Sequence, residues 1–396
     1  MAEPPRSTLP PRASALAESG EPEPRYTDLG AFAQGGTAAV HLTMDRVLGR
    51  AVATKIAKSS DPVQLARFQR EACITAQLAH PNIVPVHDLG DTWFTMKRVE
   101  GATLSAMIRG ETYGSAMVGR VMDILIKVCD ALAFAHDRGV IHRDIKPENV
   151  MVGRFGEVYL MDWGIAQVGE VADDRFAGTS AWMAPEQARG EVCGPQADVW
   201  GIGGLLYYAL CGGRPNLGPT ATDRAERARA GARPPAPELV APDRNLPSEL
   251  VRISMKALEP DPARRYPTIT AFADDLKAGH RSGWWFELRT FAEDTEITRE
   301  GAEGDEAFII VSGTCEVRQN GGPIAELGPG EIFGEAALLT RGTRTASVVA
   351  VTVVTARIIT RAALDAELGR DRWMGPLVLG LAHRFHELSS ENLVRK

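Results

Sequence analysis

At 396 residues the chain has room for two or three cores at about 150 residues each. Its 44% hydrophobic and 24% charged residues exclude a fibrous or wholly disordered polymer. A net charge of -7 argues against a polyanion-binding surface, which needs clustered Lys and Arg, so nucleic acid is not an expected partner. The five cysteines are scattered, odd in number and never in a Cys-x-x-Cys pair. They suggest neither a disulfide framework nor a zinc site, and point to a reducing cytoplasm.

Residues 1–25 carry Pro4, Pro5, Pro10, Pro11, Pro22 and Pro24 among small polar residues, without the basic start and apolar run of a secretory signal. A disordered tail is expected there. From Tyr26 to Val99 short β-branched runs with glycine punctuation surround one helical stretch, Val63 to Leu78. From Leu104 to Leu276 helical periodicity dominates, and Met117 to Arg138 puts Val118, Val121, Leu125, Val128, Leu132 and Ala135 on one face. After Trp284 strands alternate with turns at Ser312-Gly313, Asn320-Gly321-Gly322 and Gly328-Pro329-Gly330, and helices follow from Arg361. The apolar stretches Val199 to Cys211 and Ala346 to Ile359 are broken by Gly or Thr and fall short of the roughly 18 residues a bilayer span needs, so no membrane partner is expected. The fold class is therefore α+β: a strand-rich lobe (26–99), a helical lobe (100–280) and a strand-rich C-terminal domain (286–396).

His142-Arg143-Asp144-Ile145-Lys146-Pro147-Glu148-Asn149 concentrates an acid, a lysine and an amide in one loop. Phosphoryl transfer needs such groups: a carboxylate for the hydroxyl proton, a cation near the moving phosphoryl, and an oxygen for Mg²⁺. In this run the chain resembles the protein kinase family, from about Tyr26 to Leu276. The resemblance implies a bilobal kinase fold that binds ATP and Mg²⁺, with Asp144 as catalytic base, Lys146 on the γ-phosphate and Asn149 on the second metal ion. It further implies that Lys55, in Val52-Ala53-Thr54-Lys55, contacts the α- and β-phosphates and that Glu71 fixes its reach. Asp162-Trp163-Gly164 matches the metal-binding D-F-G motif with Trp for Phe. In the glycine-rich loop Gly35 keeps the central position, while Ala33 and Ala38 stand where glycine is usual and Val40 follows. The alanines weaken the approach of backbone N–H groups to phosphate. Met96 would lie beside the adenine, with Lys97 to Val99 as the hinge.

Further along, Gly178-Thr179, Ala184-Pro185-Glu186, Asp198-Val199-Trp200-Gly201 and Arg264, the expected partner of Glu186, fit the same family. They lie on both sides of a proline cluster (Pro234, Pro235, Pro237, Pro242, Pro247), which therefore is no domain boundary; the boundary is placed at Lys277 to Trp285. Lys146 with Thr179 resembles the serine/threonine branch, so the implied partner is a protein substrate with a Ser or Thr acceptor. Between Gly164 and Gly178 there is no Ser, Thr or Tyr. Arg143, which in many kinases docks an activating phosphate, could meet Asp173 or Asp174 instead.

Phe333-Gly334-Glu335-Ala336-Ala337-Leu338-Leu339, followed by Arg344-Thr345-Ala346-Ser347, looks like the phosphate cassette of the cyclic-nucleotide-binding family, from about Phe286 to Leu388. The resemblance implies a β-roll with flanking helices in which Gly334 opens a helix toward the phosphate and Arg344 binds it. Glu335 would accept from the ribose 2′-hydroxyl, and Thr345 would add a hydroxyl. The effector implied by the resemblance is cAMP or cGMP, with Thr345 leaning slightly to the latter. Trp373, Phe385 and His386, between Arg372 and Lys396, fall where a lid helix would cover the base. Two functions stay open: a protein kinase regulated by cyclic nucleotide, or a catalytically weak kinase-fold scaffold that acts as a cyclic-nucleotide-sensing module.

Overall fold

The computed structural model of the chain describes residues 24–34, 38–168, 179–244, 246–282, 286–361 and 364. The tail up to residue 23, Gly35, Asp173, Asp174, Gly178, and Trp373, Phe385 and His386 lie outside the described residues.

The first lobe is one antiparallel sheet of β1 (Tyr26–Gln34), β2 (Ala38–Asp45), β3 (Arg50–Ala57), β4 (Val86–Leu89) and β5 (Trp93–Lys97), ordered β1-β2-β3-β5-β4, with α1 (Pro62–Gln77) crossing between β3 and β4. Asp61 starts α1 by accepting from the Gln64 amide, and Pro62 occupies the first turn, where its missing N–H costs nothing. The buried face of α1 carries Phe68, Glu71, Ala72 and Thr75, at helical spacing. Phe68 packs on Phe94 of β5 with ring centres 5.1 Å apart. A carboxylate is thereby drawn into an apolar face.

The second lobe contains β6 (Gly101–Thr103), α2 (Leu104–Gly110), α3 (Ser115–Asp137), β7 (Val140–Ile141), β8 (Val150–Gly153), β9 (Val158–Leu160), β10 (Gln167–Val168), α4 (Pro185–Ala188), α5 (Gln196–Cys211), α6 (Ala221–Arg229), α7 (Pro237–Val240), α8 (Ser248–Ala257) and α9 (Ile269–Ser282). Its core joins α3, α5, α8 and α9, and all six residues expected on the inner face of α3 are buried in it. The α5 helix is apolar on nearly every side and is buried on nearly every side. Among the described residues no helix is long and apolar enough to cross a membrane. The proline cluster sits inside this lobe, where Tyr207 of α5 donates to the Pro235 carbonyl at 2.9 Å.

The C-terminal domain packs two four-stranded antiparallel sheets. They are built from β11 (Glu287–Phe291), β12 (Glu296–Thr298), β13 (Glu306–Ser312), β14 (Cys315–Gln319), β15 (Gly322–Leu327), β16 (Ile332–Phe333), β17 (Ser347–Ala350) and β18 (Val354–Thr360), with α10 (Glu335–Thr340) between β16 and β17. Phe308, Ile310, Phe333, Val348, Val354 and Ile358 fill the space between the sheets. Asn320 and Gly321, at φ 51° and 80°, make a two-residue hairpin turn whose twist suits the paired strands β14 and β15.

Candidate active site

Strand register assembles the first wall of the site. Val40 of β2 and Phe94 of β5 both stand opposite Lys55 of β3, and Ala53 stands opposite Met96, so these side chains share one face of the sheet. Val40, Lys55, Phe94 and Met96 line a cavity of about 360 Å³ together with Ala38, Glu71, Val84, Asn149, Met161 and Asp162. Ala33 pairs with Val40 through the β1–β2 ladder at the edge of this wall. Val99 does not line the cavity; with Lys97, Arg98 and Tyr159 it faces a separate hollow of about 320 Å³. Sequence motifs pass over Val84, Phe94 and Met161, although strand alternation with Met96 is the signal that finds Phe94.

Lys55 Nζ donates to Glu71 Oε1 at 2.5 Å and to Asp162 Oδ1 at 3.1 Å. Burial is the largest influence on Glu71 and pushes its carboxyl up to about 7, Lys55 pulling it back and the Asp162 charge pushing the same way as burial. Burial also works to lower Lys55, but the charges of Asp162 and Glu71 together hold it above the usual lysine range. Asp162 ends below the ordinary aspartate value: burial opposes its ionisation, and the adjacent Lys55, with Lys146 and His142, more than offsets that.

The second wall is the catalytic loop. Asp144 Oδ2 accepts from Lys146 Nζ at 2.6 Å, and Oδ1 accepts from the Thr179 amide at 3.1 Å and hydroxyl at 3.0 Å. Lys146 also donates to the Thr179 hydroxyl at 2.8 Å, which closes a ring of three side chains. Asn149 Nδ2 donates to the Asp144 carbonyl at 2.9 Å and to its carboxylate at 3.1 Å, so the amide oxygen is the atom left to face a ligand. His142 Nε2 donates to the Met161 carbonyl at 3.0 Å, which makes Nδ1 the acceptor for the Asp144 amide at 3.2 Å. Asp144 opens onto a second hollow, of about 390 Å³, that shares Glu71 and Asp162 with the first and adds Arg67, Phe68 and Gly164. Two cavities thus meet along the line from Asp162 to Asp144.

Buried polar groups fix this loop from behind. Asp198 of α5, fully buried, accepts from the His142 amide at 2.9 Å, the Arg143 amide at 2.8 Å and His136 Nε2 at 2.7 Å. Burial opposes its charge, but these donors hold its carboxyl below the usual range. Trp163 is fully buried and packs tilted against His142 with ring centres 4.5 Å apart. Glu186 pairs with Arg265 and not, as the sequence suggests, with Arg264. Pro262–Arg264 form a 3₁₀ turn that leaves Arg264 exposed, and Arg265, the first extended residue after it, points inward. Its bonds to Glu186 are bidentate, 2.6 and 2.7 Å, and the other guanidinium donors reach the Glu259, Gln196 and Pro260 carbonyls.

In the C-terminal domain Arg344 is buried, and its Nη1 donates to the Gly334 carbonyl at 2.9 Å. Among the described residues no carboxylate forms an ion pair with it. Burial lowers its pKa, opposed by the charges of Asp305, Glu306 and Glu335. Gly334 takes φ 79°, and a Cβ there would run into Arg344 and come within 3.1 Å of the Glu306 carbonyl, so only glycine fits. Glu335, first residue of α10, and Thr345 are exposed beside this guanidinium.

The donor set suits ATP with Mg²⁺. Among the described residues no cluster of three or more His, Cys, Asp and Glu makes a metal cage. Asp162 and Asn149 instead offer one carboxylate and one amide oxygen, the sparse set Mg²⁺ takes when phosphates complete its shell.

This is a protein kinase architecture followed by a domain of two packed antiparallel sheets, and comparison with known families agrees. The protein kinase domain family matches residues 26–275, well over half of the chain, and the cyclic nucleotide-binding domain family matches residues 288–371. The chain belongs to the protein kinase family. Among curated relatives it is similar to the serine/threonine-protein kinase PknD of Chlamydia felis, 30% identical over 290 residues, covering 64% of this chain and 31% of that one. It is similar also to PknD of Protochlamydia amoebophila, 31% identical over 342 residues (72% and 35% covered), and to PknB of Mycobacterium tuberculosis, 34% identical over 266 residues (62% and 41% covered). The chain spans between about a third and two fifths of the length of these relatives.

Proposed function

We propose that the chain transfers the γ-phosphoryl group of ATP to Ser or Thr hydroxyls of protein substrates, under the control of a cyclic nucleotide bound by its C-terminal domain. The observation that carries the reading is the ring of Asp144, Lys146 and Thr179 beside the cavity that holds Lys55 and Asp162. In this reading the acceptor hydroxyl enters through the hollow in front of Asp144. Its oxygen bonds to the γ-phosphorus as the bond to the leaving ADP oxygen breaks, and Asp144 takes the proton. Lys146 neutralises charge on the moving phosphoryl, and Lys55, steadied by Glu71, holds the α- and β-phosphates. Ala33, Gly35 and Val40 cover the nucleotide, with Met96 beside the adenine and the hinge from Lys97 to Val99 offering it backbone hydrogen-bonding groups. Asp162 and Asn149 would hold Mg²⁺, which would supply positive charge to offset that of the phosphates.

The sensor half rests on a buried guanidinium that forms no ion pair with a carboxylate among the described residues and faces a glycine whose φ of 79° strains any other residue. Arg344 and the amides after Gly334 take the cyclic phosphate, Glu335 the ribose 2′-hydroxyl, and Thr345 a further acceptor of cAMP or cGMP. A cytoplasmic setting fits five unpaired cysteines. Transfer of label from ATP to a protein substrate, with Asp144→Asn as control and with cAMP or cGMP added, tests both halves. No signal above the control overturns the kinase reading; no binding by calorimetry and no change of rate overturns the sensor reading.

A further inference from the structure

Arg143 is buried although no residue between Gly164 and Gly178 can carry a phosphate for it. Two of its side-chain donors reach neutral acceptors in the structure. Arg143 Nη1 donates to Gln167 Oε1 at 3.0 Å and Nε donates to the Ile165 carbonyl at 3.0 Å. Gln167 is itself 5% exposed, and its Nε2 donates to the Cys193 carbonyl at 3.3 Å. Gln187, also buried, returns a bond to the Arg143 carbonyl at 2.8 Å.

The placement of Gln167 gives these bonds their meaning. Its backbone pairs with Ile141 of β7, the residue just before His142, so it is fixed against the strand that feeds the catalytic loop. Arg143 holds φ 65°, a left-handed backbone that a side chain adopts only when its surroundings impose it. Asp198 holds its amide, Gln187 its carbonyl and Gln167 its guanidinium. The next residue is Asp144. A glutamine suits this spot because one amide accepts from the guanidinium and donates to a carbonyl at once, which leaves both of its polar ends paired in a buried place.

We infer that Gln167 is a positioning residue for phosphoryl transfer: it holds Arg143, and through it Asp144, in the transfer-ready arrangement, so that no phosphate on the segment after Gly164 is needed. The inference rests on the kinase reading above. It differs from a phosphate-gated site in one physical respect, since an amide is a permanent partner and cannot be added or removed.

The test uses the full chain, purified with and without a co-expressed phosphatase, phosphate content being checked by mass spectrometry. The phosphate-free wild type is expected to keep its kcat within about twofold. Gln167→Met, similar in length but without the acceptor and donor, should lower kcat about tenfold or more with the KM for ATP unchanged, and Gln167→Glu, which keeps an acceptor, should recover most of it. Melting curves show whether each variant folds, and the phosphatase comparison needs no variant. An active wild type that loses its activity on dephosphorylation overturns the inference. So does Gln167→Met with wild-type kcat, or Gln167→Glu no better than Gln167→Met. A wild type that transfers no phosphate in either preparation brings down the kinase reading itself, and the inference with it.

Discussion

Lys55 lies between two carboxylates of opposite tendency, and this makes pH a sharp probe of the site. Glu71 must be ionised to hold Lys55, yet burial first, and then the Asp162 charge, raise its carboxyl to about 7. The ionised fraction in the free enzyme is then about a tenth at pH 6 and about nine tenths at pH 8. Initial rates at subsaturating ATP report kcat/KM, which follows the free enzyme, so this ratio should rise about tenfold across that window. Glu71→Gln should lower kcat/KM and remove the limb, which separates Glu71 from titration of the nucleotide itself. Stability should move the other way. The folded-state value lies above the usual 4.5, so folding takes up a proton between 4.5 and about 7. The contribution of Glu71 to stability is fully present below 4.5 and is lost as pH rises through 7. A kcat/KM that is flat from about pH 6 to 8, or a limb displaced toward 4.5, would refute the reasoning by showing that the Lys55 charge outweighs burial.

Asp144→Asn should cut transfer by about a thousandfold or more while calorimetry shows ATP binding kept, because in the proposed mechanism the carboxylate takes the proton, and it does not line the cavity assigned to the nucleotide. Arg265→Ala should cost about 3–5 kcal/mol in urea denaturation, since it strands the buried Glu186 carboxylate; an unchanged midpoint contradicts the pairing described. Arg344→Ala should weaken cyclic-nucleotide binding about a hundredfold by calorimetry, the loss of a charge-assisted contact in a buried setting. Equal affinity in that variant would move the phosphate site elsewhere.

The sequence discloses what is periodic or contiguous. The inner face of α3 follows from a 3.6-residue repeat, and the catalytic loop from one eight-residue run, because a local signal specifies a local structure. The Asn320-Gly321 turn is legible for the same reason, as two positive φ angles demand those residue types. What stays hidden depends on direction. Arg264 and Arg265 are adjacent and chemically identical, and only the backbone after the 3₁₀ turn decides which faces Glu186. Gln167 carries no motif at all, since its role comes from a carbonyl 26 residues away and a guanidinium 24 residues away. The position of Val99 three residues after Met96 does not tell which hollow it lines.

The two walls of the site are held by different means, and this bears on where control is cheapest. Arg143 and Asp162 both take left-handed backbone, φ 65° and 64°, at a typical cost of about 1–3 kcal/mol each. On the catalytic-loop side that strain is offset by fully buried Asp198, by the Gln167 and Gln187 amides and by the large core around α3 and α5, so displacing it means breaking several buried bonds together. On the other side α1 rests mainly on a small cluster around Phe68, Ala72 and Phe94, with Ile74 reaching the large core, and its link to the site is one carboxylate poised near its own ionisation. Moving α1 outward breaks the Lys55–Glu71 pair and returns Glu71 to water, where its charge is easily solvated. The energetic asymmetry therefore favours regulation through α1 over regulation through the catalytic loop, whose geometry the amide of Gln167 already fixes.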